Sequence, residues 1–227
     1  MAHKIFPHGD FIEVAPGLWQ LRGSLPFPLP RYMTVWRLQD GGLLIYSAVA
    51  LDEAGMQKLE ALGKPTVLVV PHSLHLMDAA FYKARYPGIK VIAPEAAKKR
   101  LDPSCPVDES PAEGLKRLGL RGEVVPGNKC DEVMLDLDLP NGERALVFTD
   151  LLAYGEPKNL MMRLMGPPGG KGIARIVRFR QIADKAATRT FLERMAKEQK
   201  ISKILLAHAK PWEGSSAELF LAAAAQL

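Results

Sequence analysis

Two histidines three residues apart, His72 and His75, follow the apolar run Val67-Leu68-Val69-Val70 after a single proline, Pro71. Ala145-Leu146-Val147-Phe148-Thr149 delivers Asp150, and Lys203-Ile204-Leu205-Leu206-Ala207 delivers His208. Each run is short and apolar, the pattern of a buried strand. In α/β sheets, ligands bind beyond the carboxyl ends of the strands. Neutral imidazoles with a carboxylate suit one divalent metal ion, zinc first, with iron or manganese as alternatives. If all four side chains converge, three histidines and an aspartate suffice for one ion with a position open to water, and that water becomes a nucleophile near neutral pH. Each residue also has an ordinary role. His72 or His75 can hydrogen-bond backbone, Asp150 can cap a helix, and His208 can pack near Trp212.

Other residues are weaker candidates. Asp78, three after His75, could orient an imidazole N–H, although a solvent-facing place on the first turn of a helix is the plainer reading. Asn128, beside Gly127, could bind a substrate oxygen or simply make a turn. The loop Gly166-Pro167-Pro168-Gly169-Gly170-Lys171-Gly172 fails the spacing of a phosphate-binding loop, because Met165 stands where its first glycine belongs. It reads as a lid or a surface loop. Lys171, Arg175, Arg178 and Arg180 make a basic segment that could attract anions but reads first as a solvated face. Cys105 and Cys130 form no C-x-x-C pair and fit a reducing compartment.

These residues need a scaffold, and the chain is long enough to bury one. It has 227 residues, 48% hydrophobic, 24% charged and 7% aromatic, with a net charge of +5. That balance suits a soluble globular domain and an anionic small-molecule substrate, and disfavours a nucleic-acid binder. The start has no signal-peptide core, and no apolar run approaches the length of a membrane span. The expectation is a cytoplasmic protein without a membrane partner, homo-oligomerisation being left open.

The pattern predicts a strand over 17–25, broken by Pro26, Pro28 and Pro30. A hairpin over 32–38 and 43–47 turns at Asp40-Gly41. A helix capped by Asp52 ends at Gly63. Strands over 66–70 and 90–93 flank a helix over 76–86 that Pro87 stops, and Pro94 starts a short helix. Residues 102–114 read as irregular. Strands over 123–125, 132–139, 143–148 and 202–207, a helix over 184–199 and a last helix capped by Ser215 or Ser216 complete the chain. Residues 151–180, including the Met161–Met165 piece, resist assignment. No linker divides the sequence, so one domain over 1–227 is expected, with mixed sheets flanked by helices.

The order of these pieces resembles the metallo-β-lactamase superfamily. His72-Ser73-Leu74-His75 is similar to the last four positions of its H-x-H-x-D-H motif. Arg85-Tyr86-Pro87-Gly88 and Val91-Ile92-Ala93-Pro94 resemble the usual continuation. Phe148-Thr149-Asp150 resembles the F-x-G-D segment without its glycine, and Ala207-His208-Ala209 the closing histidine segment. The departures are Val70 for the first motif histidine, Leu74 for the motif aspartate, and Asn128 for the histidine of a P-G-H turn. Three of the usual seven ligands are therefore replaced, as in a divergent, functionally unassigned branch. The resemblance implies a four-layer αββα sandwich. It also implies a metal-dependent hydrolase of an ester-like or phosphoester-like small molecule at a mononuclear site of His72, His75, Asp150 and His208, with Asn128 at the substrate. The alternative is a non-catalytic relative that binds a metal or small molecule. A third reading is an anion or nucleic-acid binder using Lys171 to Arg180.

Overall fold

The structure, a computed structural model, describes residues 3–26, 29–155 and 160–227. Pro28 of the proline cluster lies outside the described residues, as do the side chains of Met161 and Met162. The chain divides into two compact units, Met1–Leu120 and Arg121–Leu227.

The first unit is built on a six-stranded sheet in chain order, β1 (His8–Ala15), β2 (Leu18–Gly23), β3 (Arg31–Arg37), β4 (Leu43–Tyr46), β5 (Pro65–Val69) and β6 (Lys90–Ile92). β1 to β4 run antiparallel and β4 to β6 parallel. The Asp40-Gly41 turn forms as expected, Gly41 taking φ 84° to close the β3–β4 hairpin. Helix α1 (Glu53–Leu62) is capped by Asp52, whose side chain accepts from the Gly55 amide, and buries Met56 and Leu59. Helix α2 (Ala79–Arg85) starts three residues later than the apolar pattern predicts, because His72 to Asp78 are spent on turns. α3 (Glu95–Lys98) follows Pro94. Two elements were not expected. β1 is an edge strand with mixed exposure and no clean alternation. α4 (Pro111–Arg117) lies in the segment read as irregular, yet Ser110 and Glu113 form a capping box and Pro111 sits at the first turn, where it costs no hydrogen bond.

The second unit has a four-stranded sheet in the order β12-β9-β8-β7, from β7 (Arg121–Val124), β8 (Val133–Asp138), β9 (Arg144–Phe148) and β12 (Ile201–Leu206). β7, β8 and β9 are antiparallel, and β12 joins β9 parallel. A ribbon of β10 (Ala153–Tyr154) and β11 (Lys171–Gly172) brackets α5 (Leu160–Met165) and a 3-10 turn. Then come α6 (Arg175–Arg180), α7 (Lys185–Ala196), and α8 (Ser216–Ala224), whose cap is Ser215. The core gathers Phe148, Phe191 and Phe220 edge to face, with Leu146, Leu192 and Leu206 around them. Packed aromatic pairs of this kind add about 0.5–1.5 kcal/mol each beyond burial.

Candidate functional site

In the first unit β5 ends at Val69, and Val70 extends its pairing by donating its amide hydrogen to Ile92 O (2.9 Å). Pro71 then ends the ladder, having no amide hydrogen to donate. His72 to His75 form one turn closed by the His75 amide on His72 O (3.1 Å). Two residues three apart in such a turn fall side by side, and the rings lie 4.5 Å apart between centroids. Both histidines thus stand beyond the carboxyl end of β5. His72 is fully buried and His75 half-buried.

Their hydrogen bonds differ. His75 Nδ1 is 2.8 Å from Ser47 Oγ. Ser47 follows β4, the parallel neighbour of β5, and takes φ 56°. A left-handed backbone at a residue other than glycine costs about 1–3 kcal/mol and marks constrained sites. With Ser47 accepting from Nδ1–H, the ring presents the Nε2 lone pair, the form a metal ligand needs. His72 Nδ1 accepts the Leu74 amide (3.2 Å), so its neutral ring carries the proton on Nε2. Sequence reasoning missed Ser47. The usable signal was its place just past a strand parallel to the one before His72.

Asp78 does not face solvent, and the imidazole within its reach is that of His3. Asp78 is buried, 1% exposed, and accepts hydrogen bonds from Arg31 Nη2 and the Ala50 amide (2.8 Å), with His3 Nε2 at 2.7 Å. The solvent-facing reading fails because Arg31, projecting from the start of β3, supplies a buried countercharge. Asp78 ties the end of the histidine turn to the segment after Ser47.

In the second unit, register does the positioning. Leu206 of β12 pairs with Phe148 of β9 in parallel, so Asp150 and His208, each two residues further on, arrive together. His208 Nε2 lies 3.1 Å from Asp150 Oδ1. Two donors of one tetrahedral zinc, each about 2 Å from it, stand about 3.3 Å apart. The separation suits an ion pair as well as two ligands of one ion. Gln181 Nε2 donates to Asp150 Oδ2 (2.8 Å) and fixes the carboxylate. Residues 151–155, directly after Asp150, are not helical, so it caps no helix there.

The backbone beneath Asp150 is held by Glu132, which sequence reasoning missed. Its fully buried carboxylate accepts the amides of Thr149 (2.7 Å), Asp150 (3.2 Å) and Leu151 (2.9 Å). Burial first, then the nearby Asp150 charge, push Glu132 up to about 7, against the pull of those amides. A Glu ahead of a strand carries no sequence signal for such a role.

Pro126-Gly127-Asn128 forms the expected turn. Gly127 takes φ 77°, and its carbonyl accepts from Ala183 and Asp184. A Cβ there would sit 2.2 Å from Asp184 O, so only glycine fits. Asn128 Oδ1 accepts the Cys130 amide (2.8 Å). Asn128 Nδ2 and Gln181 Oε1 are buried without a hydrogen-bond partner among the described residues. Lys129 N bonds to Gln181 O (2.9 Å), so the two side chains come from adjoining backbone. A buried donor and a buried acceptor without partners cost about 1–3 kcal/mol each unless water or a ligand meets them.

The fold is that of the metallo-β-lactamases. It is similar to a metallo-β-lactamase from Erythrobacter litoralis with β-mercaptoethanol in the active site (TM-score 0.65, 18% identity, covering 99% of this chain and 100% of that one). A metallo-β-lactamase from Pseudomonas aeruginosa in a mono-zinc form superposes at TM-score 0.63 with 14% identity, covering 98% of this chain and 97% of that one. No protein-family model and no curated protein sequence matches the chain.

Proposed function

We propose that the protein is a metal-dependent hydrolase of an ester-like or phosphoester-like small molecule. His75, Asp150, His208 and, once its ring proton shifts from Nε2 to Nδ1 and the Leu74 amide is released, His72 would hold one divalent cation, zinc first, with iron or manganese as alternatives. The observation that carries this reading is the parallel register of β9 and β12, which sets an aspartate and a histidine 3.1 Å apart beyond the strand ends. The His72–His75 turn stands at the corresponding end of β5. When bound, such an ion supplies Lewis acidity, polarising a carbonyl or phosphoryl oxygen and acidifying water at neutral pH.

The chain's own residues supply the rest. Gln181 turns Asp150 Oδ1 toward His208. Ser47 sets the His75 ring, and Glu132 fixes the backbone amides around Asp150. Asn128 Nδ2 and Gln181 Oε1 offer a donor and an acceptor to the polar group of a substrate. A single ion is favoured because Val70, Leu74 and Asn128 replace three superfamily ligands. Val70 is walled into the core of the first unit. One observation favours a non-catalytic binding relative. Leu74, in place of the motif aspartate, is 51% exposed and can neither hold nor move a proton.

Hydrolysis of p-nitrophenyl acetate and bis(p-nitrophenyl) phosphate tests the reading on protein reconstituted with zinc, manganese or iron. The expected result is turnover that a chelator abolishes and that His208→Ala lowers by at least ~100-fold. Metal-bound protein inactive on both substrates would support the binding relative instead.

A further inference from the structure

The net charge of this chain is confined to one segment. Residues 157–183 hold six cations and no carboxylate, whereas the remaining 200 residues hold 24 cations and 25 carboxylates. The same segment holds four of the ten large apolar side chains exposed among the described residues: Leu160 (70%), Leu164 (63%), Met165 (41%) and Phe179 (84%). Single exposed apolar residues are ordinary, but a cluster rimmed by one sign of charge marks an interaction surface.

The two helices are fastened to each other at one end. Leu160 and Leu164 are one turn apart on α5 and share a face. Arg175 at the start of α6 donates to the carbonyls of Arg163 (3.1 Å) and Gly166 (3.2 Å), fastening the end of α5 to α6. Phe179 lies one turn beyond Arg175, on the same side of α6. Among the described residues Arg163, Arg175, Arg178 and Arg180 have no carboxylate partner, and only Lys171 of this segment is paired, with Glu218. The β10–β11 ribbon closes the base of the segment.

We propose that this α5–α6 face docks on an anionic lipid surface. Exposed leucine and phenylalanine between arginines is the composition of helices that lie in a membrane interface, the apolar side chains entering the acyl boundary and the cations meeting anionic headgroups. Peripheral docking of this kind needs no span, and no described helix is long and apolar enough to be one. A second copy of the chain fits less well, since a two-fold contact would set like charges against each other. Nucleic acid explains the arginines but leaves Leu160 and Leu164 exposed to water, because single strands are held by stacking on aromatic rings.

Co-sedimentation with vesicles tests the proposal. The full chain is mixed with phosphatidylglycerol–phosphatidylcholine vesicles and with pure phosphatidylcholine vesicles, at low and high salt. Expected are retention on the anionic vesicles only, weakening at high salt, and loss of retention in Leu164→Asp/Phe179→Asp with unchanged circular dichroism. Arg163→Gln and Arg180→Gln, which alter exposed side chains only, are each expected to weaken partition about fivefold. No retention, or retention that Phe179→Asp leaves unchanged, would overturn it. So would tighter retention on single-stranded RNA, or a concentration-dependent dimer that the Asp substitutions disperse.

Discussion

Replacing Asp78 with alanine tests how the histidine turn is held. The Asp78 and Arg31 side chains are 1% and 7% exposed, so the substitution strands a guanidinium away from water. Removing one partner of a buried ion pair costs about 3–5 kcal/mol, chiefly because the remaining charge is left uncompensated. The Ala50 amide, now bonded to Asp78 at 2.8 Å, also loses its acceptor, which falls within the upper part of that range. For a chain of this size each kcal/mol moves the melting temperature by about 2–4 °C, so Asp78→Ala should melt about 6–20 °C lower. Arg31→Met/Asp78→Leu removes both charges and keeps comparable volume, and should recover to within about 1–2 kcal/mol of the parent. Thermal melts by circular dichroism with urea titrations of the three proteins measure both values. A loss under ~1 kcal/mol in Asp78→Ala, or a double variant no better than the single, would show that the pair does not hold this turn.

Gly127→Ala should cost about 2–4 kcal/mol in a urea titration, since it adds a left-handed backbone penalty to a clash with the Asp184 carbonyl. His75→Ala should weaken zinc binding more than His72→Ala in competition with a chromogenic chelator, because the His72 ring must first release the Leu74 amide from Nδ1. Acid stability depends on Asp136. Burial raises its carboxyl, but the hydrogen bonds from Arg144 and Arg121 outweigh this and leave it below the ordinary value of 3.8. A carboxylate depressed in the folded state stabilises above its unfolded pKa and loses that contribution as pH falls through the folded one. The urea midpoint should therefore drop below about pH 4, and Asp136→Asn should flatten that drop.

Much of this arrangement was legible in the sequence, for identifiable reasons. The buried strands announced themselves as apolar runs, and the cap residues Asp52 and Ser215 by their type and place. His72, His75, Asp150 and His208 all stand just beyond strand ends, as the runs before them indicated. What stayed hidden depends on partners distant in sequence. Glu132 meets amides 17 to 19 residues away, Asp78 meets Arg31 across 47 residues, and Ser47 meets His75 across 28. No local pattern encodes such pairs. α4 was hidden for a different reason. Its prolines suggested loop, although Pro111 is at the one helical position that tolerates it and the Ser110–Glu113 capping box was present in the sequence. In the 151–180 stretch the short ribbon and helices are too brief for periodicity to reveal.

The central claim is that the strand-end residues hold one metal ion. Elemental analysis of the protein purified after metal-replete expression, beside Asp150→Ala/His208→Ala, tests it most directly. About one zinc, iron or manganese per chain, lost in the double variant while the fold persists, is the expected result. No metal in either protein, or equal metal in both, would contradict it.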